Sequence, residues 1–126
     1  MSTKTNDTVI INPAEFNAAE TEAAVIDADT YVHNFDEPFI YEGRTFEQLV
    51  FNFGKLTGAD DIAIENELQA LGKPVVVAEM SGEYLVRMAC RACTEKVGAD
   101  VFTAMKLRDC RKIRNTARSC LRRSGS

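Results

Sequence analysis

The sequence predicts an α+β fold that is mainly helical, in which one N-terminal β-hairpin packs on three to four helices. Two apolar runs, 31–41 and 45–53, flank Glu42-Gly43, where glycine permits the positive φ of a tight turn. After Phe53 the alternation of apolar and polar residues stops, and apolar residues recur at helical spacing instead. These two patterns together favour a hairpin followed by helices.

The length and composition favour one domain. The chain has 126 residues, of which 45% are hydrophobic and 27% charged, as in globular proteins with a single core. We predict a flexible N-terminal segment over 1–30, a globular domain over 31–123 and a short tail over 124–126. The alanine-rich stretch that begins at Asn12-Pro13 could add one loosely docked helix to the N-terminal segment, and Asp27–Thr30 is predicted to be a linker.

The second strand of the hairpin has two distinct faces. Leu49, Phe51 and Phe53 share one face by their two-residue spacing, and Gln48 and Asn52 share the other. A lone hairpin is only marginally stable in water, so the apolar face is expected to pack on helices or on another chain. Its exposed edge is a natural place for a partner strand to add by β-augmentation.

Cap and stop signals bound the first helix. We predict it over 59–71, with Thr57 or Asp60 as the cap and Gly72 as the residue that ends it. The β-branched run that follows, 75–78, is predicted to be an extended connector or a third edge strand.

Three more helical segments complete the chain. The second helix is predicted over 82–97, with Gly98 ending it, and a short helical turn follows over 101–105. Asp109 is predicted to be the N-cap of a last helix over 110–122.

The charge is distributed unevenly along the chain. Residues 1–72 hold three basic residues against fourteen carboxylates, a net charge of −11, whereas residues 73–126 hold twelve against five, a net charge of +7. One interpretation is that two solvated faces attract each other within the fold. The other is that the protein assembles head-to-tail or docks one end on a charged partner, because such fields steer association.

The sequence contains little material for an active site. Cys90-Arg91-Ala92-Cys93, with Cys110 and Cys120, could in principle bind zinc or act in redox chemistry, but the spacing lacks a second C-x-x-C pair and the first pair falls mid-helix. We therefore favour packing for these thiols. The single histidine, His33, has no nucleophile or ligand set near it in sequence. We predict no catalytic, cofactor-binding or metal-binding residue, and no enzyme.

Membrane insertion and export are not expected. No apolar run approaches the roughly 20 residues of a membrane span, and no signal-peptide pattern follows Met1. The sequence therefore favours a cytoplasmic protein with reduced thiols.

The last helix is cationic and amphipathic, which suits a nucleic acid, an anionic membrane or an acidic protein surface. The pI of about 5.0 and the lack of aromatic residues among the arginines argue against nucleic acid. The alternative to a contact with another protein is that this helix has a solvated basic face, which balances the charge of the acidic first half of the chain.

Short motifs along the chain resemble one protein family. They occur in the order Pro38, Gly43, Leu56-Thr57-Gly58 with Asp60 or Asp61, Tyr84 in an alanine-rich helix, and Asp109 before the closing helix. In this order they resemble the tail assembly chaperones of long-tailed bacteriophages, over about Tyr31 to Leu121. The closing helix of that family is commonly apolar, whereas here it is basic.

The resemblance implies a non-catalytic protein without cofactors that coats the tape measure protein and helps to recruit tail tube subunits. It implies a homo-oligomer that also pairs with a longer, frameshifted form of itself, works in the host cytoplasm and is absent from the mature virion. Alternatives are a tail completion or head–tail connector protein, and a small nucleic-acid-binding regulator that uses the basic helix. The candidate partner contacts are Phe39, Tyr41, Phe46, Arg111, Arg114, Arg118 and Arg122. For the three aromatic residues, packing in the core is the alternative.

Overall fold

A computed structural model describes residues 24–27 and 29–124, with the side chains described from residue 29 onwards. The elements are β1 (Ala24–Asp27), β2 (Thr30–Tyr41), β3 (Arg44–Asn52), α1 (Gly58–Ala70), α2 (Gly82–Ala92), α3 (Ala99–Ala104) and α4 (Leu107–Ser124). Two 3₁₀-helices, Phe53–Lys55 and Ala78–Met80, lie in the connections. The prediction of an α+β, mainly helical fold is confirmed.

The predicted hairpin is formed by β2 and β3, which pair antiparallel. Glu42 and Gly43 make the turn, with φ of 49° and 78°. Two consecutive residues with positive φ give the turn the backbone twist that suits a hairpin, and glycine at the second position adopts it without strain. Leu49, Phe51 and Phe53 are buried on one side, as their spacing predicts.

A third strand extends the hairpin to a sheet of order β1-β2-β3. β1 pairs antiparallel with β2, for example Ala24 with Val32. This strand lies inside the stretch 1–30, which the sequence predicted to be flexible. Asp27 and Thr30, the ends of the predicted linker, belong instead to β1 and β2 and pair with each other. Residues 1–23, including the predicted loose helix, lie outside the described residues.

The sequence predicted either an extended connector or a third edge strand over 75–78. The structure has no strand there. This stretch leads into the 3₁₀-helix Ala78–Met80, in which the Met80 N–H donates to the Val77 carbonyl (3.0 Å) and the Ser81 N–H to the Ala78 carbonyl (3.0 Å). The local hydrogen bonds of this tight turn thus replace pairing with the sheet.

The register of the hairpin shifts in its middle. Asn34 pairs with Gln48 and Phe39 with Phe46, so residues 35–38 of β2 stand opposite the single residue Glu47. Such a bulge bends the strand and re-aims its side chains. In β3 the buried positions are three residues apart at the same point: Phe46 and Leu49 are buried, while Glu47 and Gln48 are exposed.

The core lies between the sheet and the helices. α2 contacts α1, α3, α4 and β3, and its buried residues face this core. The largest side chains that are almost completely buried are Phe51, Phe102, Leu49, Ile64, Leu68, Leu85 and Ile113. Each large apolar side chain contributes roughly 1.5–3 kcal/mol when it is fully removed from water.

α1 is bounded as predicted. The Asp60 carboxylate accepts a hydrogen bond from the Thr57 N–H (2.8 Å), and the Thr57 side chain in turn faces the Asp60 N–H, so the two residues form a capping box. The Thr57 hydroxyl also lies 3.3 Å from the Asp60 carboxylate. At the other end Gly72 has φ of 75° and follows the last turn. The local sequence therefore determines both ends of this helix.

α2 ends at Ala92, five residues earlier than predicted. Cys93 becomes extended and forms a bridge to Phe51, and the Thr94 N–H donates to the Val50 carbonyl (2.9 Å). Pairing with β3 thus ends the helix. The Cys90–Cys93 stretch therefore lies at the end of the helix rather than in its middle, and Gly98 precedes α3 instead of ending α2.

α4 begins at Leu107, three residues earlier than predicted. Asp109 therefore lies within the first turn and is not the N-cap. Its carboxylate is instead 2.9 Å from Nε2 of His33 in β2, a contact between residues 76 positions apart in the sequence. The predicted helical turn over 101–105 is confirmed as α3.

Candidate partner-binding surfaces

The three aromatic candidates on the hairpin mainly make contacts within the protein. Phe46 is buried, and its ring stacks on Phe39 at a centroid distance of 5.9 Å. The guanidinium of Arg44 lies 4.8 Å from the centroid of the Phe46 ring, within the range of a cation–π contact. Phe39 and Tyr41 are half-buried and pack against the core, so only part of each ring is open to a partner.

Tyr41 fastens the end of the hairpin to α3. Its hydroxyl donates a hydrogen bond to the Asp100 carboxylate at 2.8 Å. This hydrogen bond raises the pKa of Tyr41 to about 12, because the ionised phenol would lose the bond and face a carboxylate. At the same end, Arg44 donates to the Lys96 carbonyl at 2.9 Å. The tip of the hairpin is thus held against the segment between α2 and α3.

The four arginine candidates lie three or four residues apart on α4 and therefore form one stripe. We call Arg111, Arg114, Arg118 and Arg122 the arginine stripe. Arg118 donates from Nε to the Glu79 carbonyl (2.8 Å) and from Nη1 to the Asn115 side-chain oxygen (2.8 Å). Arg122 donates from Nε to the Glu79 carboxylate (3.2 Å). These two side chains hold the connection between α1 and α2.

Arg114 packs closely against the first residue of α2. Its Nη1 lies 2.8 Å from where a Cβ would be at Gly82, so only glycine fits there without movement of the arginine. The Nε atom of Arg114 is buried and has no hydrogen-bond partner among the described residues. Arg111 at the start of the stripe is exposed, and in the described part of the chain no carboxylate pairs with it.

The structure therefore does not combine the two predicted sets into one site. The aromatic residues lie at the tip of the hairpin near α3, whereas Arg114, Arg118 and Arg122 lie along the connection between α1 and α2. Each set mainly has partners inside the protein.

Ion pairs connect the acidic first part of the chain to its basic second part. Arg91 pairs with Asp60 at 2.7 Å and Arg87 with Glu67 at 3.7 Å. Further pairs of this kind are Lys106–Glu37, Arg108–Asp36 and Arg123–Asp29. Ion pairs at the protein surface contribute only about 0–1 kcal/mol each. They support the interpretation that the two charged halves attract each other within the fold.

A buried hydrogen-bond network involves His33, for which the sequence indicated no partner. Nδ1 of His33 is 2.8 Å from the Tyr31 hydroxyl, and Nε2 is 2.9 Å from the Asp109 carboxylate. His33 is only 2% exposed. Burial lowers its pKa from the ordinary value of 6.5, and the Asp109 contact opposes that shift. The two-residue spacing of Tyr31 and His33 indicates that both side chains lie on the inner face of β2. This spacing does not predict the partner of His33 in α4.

The cysteines do not converge. In the described residues no group of three or more His, Cys, Asp and Glu side chains is arranged to hold a metal ion. Burial raises the pKa of Cys90 to about 12 and also raises that of Cys93, which disfavours the reactive thiolate. Cys120 is buried, and its sulfur accepts a hydrogen bond from Arg123 at 3.1 Å.

A group of exposed apolar residues lies in the connection between α1 and α2 and was not predicted from the sequence. Seven large apolar side chains are exposed in the described part of the chain, and four of them fall within the ten residues 71–80. We call these four the connector patch. They are Leu71 (56% exposed), Val76 (93%), Val77 (50%) and Met80 (70%).

Among the described helices, none is both long enough and apolar enough to cross a bilayer. Comparisons of the chain with protein-family models, with curated proteins and with solved structures found no match.

Proposed function

We propose that this protein is a tail assembly chaperone of a long-tailed bacteriophage, a non-catalytic protein that binds the tape measure protein and helps to recruit tail tube subunits. The observation that carries the proposal is the ordered series of motif residues together with the structural positions they occupy. Gly43 makes the hairpin turn, Thr57 and Asp60 form the capping box of α1, and Tyr84 is buried in α2.

The proposed mechanism is mass action. A chaperone that binds an exposed apolar helix lowers the concentration of the free, aggregation-prone chain. Such binding needs an accessible apolar surface and no bond chemistry, and the connector patch is a surface of that kind. The same proposal includes self-association, pairing with a longer frameshifted form, work in the host cytoplasm and absence from the mature virion.

The proposal predicts a long reading frame of helical sequence next to the gene for this protein, and the test is co-expression of the two. We expect the tape measure protein to become soluble and to co-purify with this chain, and to be insoluble when expressed alone. A tape measure protein that stays insoluble and fails to associate would contradict the proposal.

Two further measurements separate the alternatives. Finding this chain in purified particles would indicate a tail completion or connector protein instead. DNA binding that falls steeply with added salt would indicate a nucleic-acid-binding regulator. Neither result is expected of a chaperone.

A further inference from the structure

We propose that the connector patch and the arginine stripe together form a docking surface for an acidic amphipathic helix of a partner protein. The apolar face of such a helix would cover the patch, and its flanking carboxylates would meet the arginines. This inference rests on the proposed function for the source of the helix, and goes beyond it by assigning the surface and the chemistry of the partner.

The apolar exposure is concentrated rather than scattered. Single exposed apolar residues are common on any protein, whereas a group of them marks an interaction site. Val76 is 93% exposed and Met80 is 70% exposed, so neither side chain packs in the core. The 3₁₀-helix that carries Met80 contacts α4, so the Met80 end of the patch lies next to the helix that bears the arginine stripe.

The surface is held in place before any partner arrives. Arg118 binds the Glu79 carbonyl and Arg122 the Glu79 carboxylate, which fixes the connector to α4. At the end of the connector, the Ser81 hydroxyl accepts a hydrogen bond from the Tyr84 N–H at 3.1 Å. A preorganised surface loses little conformational entropy on binding.

The charge around the patch favours an acidic partner. The charged side chains on the connector and in contact with its ends carry a net charge of +2, from Lys73, Arg114, Arg118 and Arg122 against Glu79 and Glu83. Arg114 and Arg118 have no carboxylate partner among the described residues. Carboxylates of an incoming helix could pair with these guanidinium groups.

The chemistry of the patch favours a helix over a nucleic acid. Its apolar members are aliphatic, and phosphates would leave them exposed, whereas bases stack on aromatic rings. Exposed apolar side chains with basic side chains nearby complement the apolar face and acidic flank of an amphipathic helix.

The test uses the full chain and two synthetic peptides of about 20 residues, long enough to be helical when bound. Both carry leucine at helical spacing; one has glutamate on its flanks and the other has lysine. Binding is followed by fluorescence anisotropy. We expect the acidic peptide to bind, with roughly tenfold loss of affinity in the Val76→Ser/Met80→Ser variant because two apolar anchors are removed. The basic peptide should bind at least about tenfold more weakly than the acidic one.

The matched control is Ile40→Ser, which removes an apolar side chain of similar exposure (68%) from the hairpin. It should leave binding of the acidic peptide unchanged. The single variant Met80→Ser gives a smaller loss in the same direction, and equal urea midpoints for all variants establish that the fold is intact.

Several outcomes would overturn the proposal. They are failure of the acidic peptide to bind, equal binding of the two peptides, equal binding by the wild type and the double variant, and affinity that does not fall with added salt. If the double variant instead lowers the oligomeric state of the chain alone in sedimentation, the occupant is a second copy of this chain.

Different results would contradict the assigned surface and the proposed function. If the Val76→Ser/Met80→Ser variant binds the tape measure protein with the same affinity as the wild type, the assigned surface is wrong and the chaperone function stands. If the acidic peptide binds the wild type but the tape measure protein does not associate, the surface stands and the chaperone function is wrong.

Discussion

At the scale of single residues, the protonation of His33 makes the stability of this protein depend on pH. His33 is the only histidine of the chain, and it is buried between Tyr31 and Asp109. Lys112 and Arg108 on α4 also disfavour its charged form. Because the pKa of His33 is lower in the folded than in the unfolded protein, protonation favours unfolding.

We therefore expect the free energy of unfolding to be insensitive to this group above its unfolded pKa of 6.5, and to decrease as the pH falls below 6.5 towards the folded pKa. Urea unfolding at a series of pH values between about 7.5 and 5 measures this dependence of the free energy of unfolding on pH. The His33→Asn variant should lose this dependence, because the asparagine side chain does not bind a proton in this pH range. A slope that persists in the variant would contradict the assignment to His33.

Phe46 and Phe39 separate core packing from partner contact. Phe46 is 4% exposed, whereas Phe39 is half-buried, and the two rings stack on each other. We expect Phe46→Ala to lower the free energy of unfolding by about 3–5 kcal/mol, the usual cost of removing a buried phenylalanine, and Phe39→Ala to lower it less. Chemical denaturation compares them. Equal costs would mean that the hairpin tip packs differently from the structure described.

At the scale of elements, the N-terminus of α2 depends on one serine. The Ser81 hydroxyl accepts a hydrogen bond from the Tyr84 N–H, and α2 is the helix that contacts α1, α3 and α4. We expect Ser81→Ala to lower the free energy of unfolding by about 1 kcal/mol. Ser119→Ala changes an exposed serine inside α4 and is the control, with an expected change of less than about 0.5 kcal/mol. A control variant that is as destabilised as Ser81→Ala would remove the cap as the explanation.

The sequence predicted those elements whose ends are set by neighbouring residues. The hairpin turn needs only Glu42-Gly43, and α1 needs only Thr57, Asp60 and Gly72. The early end of α2 could not be predicted, because it depends on the bridge between Cys93 and Phe51, which are far apart in sequence. β1 was not predicted because a short strand without strong alternation is recognisable only by its partner.

The same distinction applies to the candidate surfaces. Helical spacing placed the four arginines on one stripe, and the structure has them there. That Arg118 and Arg122 hold the connector through Glu79 follows from the tertiary fold and could not be read from α4 alone. The connector patch was not predicted because a β-branched run such as Val75–Val77 usually indicates a buried strand.

At the scale of the whole molecule, ion pairs between the acidic and basic parts of the chain can be tested by a double-mutant cycle. Asp60 and Arg91 are 2.7 Å apart and only partly exposed. We expect a coupling energy of roughly 0.2–1 kcal/mol between Asp60→Ala and Arg91→Ala. Asp60→Ala alone should cost more than Arg91→Ala alone, because the same carboxylate also caps α1. Zero coupling energy would show that the two halves do not stabilise each other through this contact.

The contact of residues 93–94 with β3 has a consequence for solubility. Exposed strand edges are where sheets of different molecules join during aggregation, and proteins commonly cover or charge them. Here the bridge from Cys93 to Phe51 and the hydrogen bond from Thr94 to Val50 cover the inner part of the β3 edge. The outer part carries the charged residues Arg44 and Glu47. At this edge an added strand could therefore pair only along a short, charged segment, which disfavours polymerisation of the concentrated protein through β3.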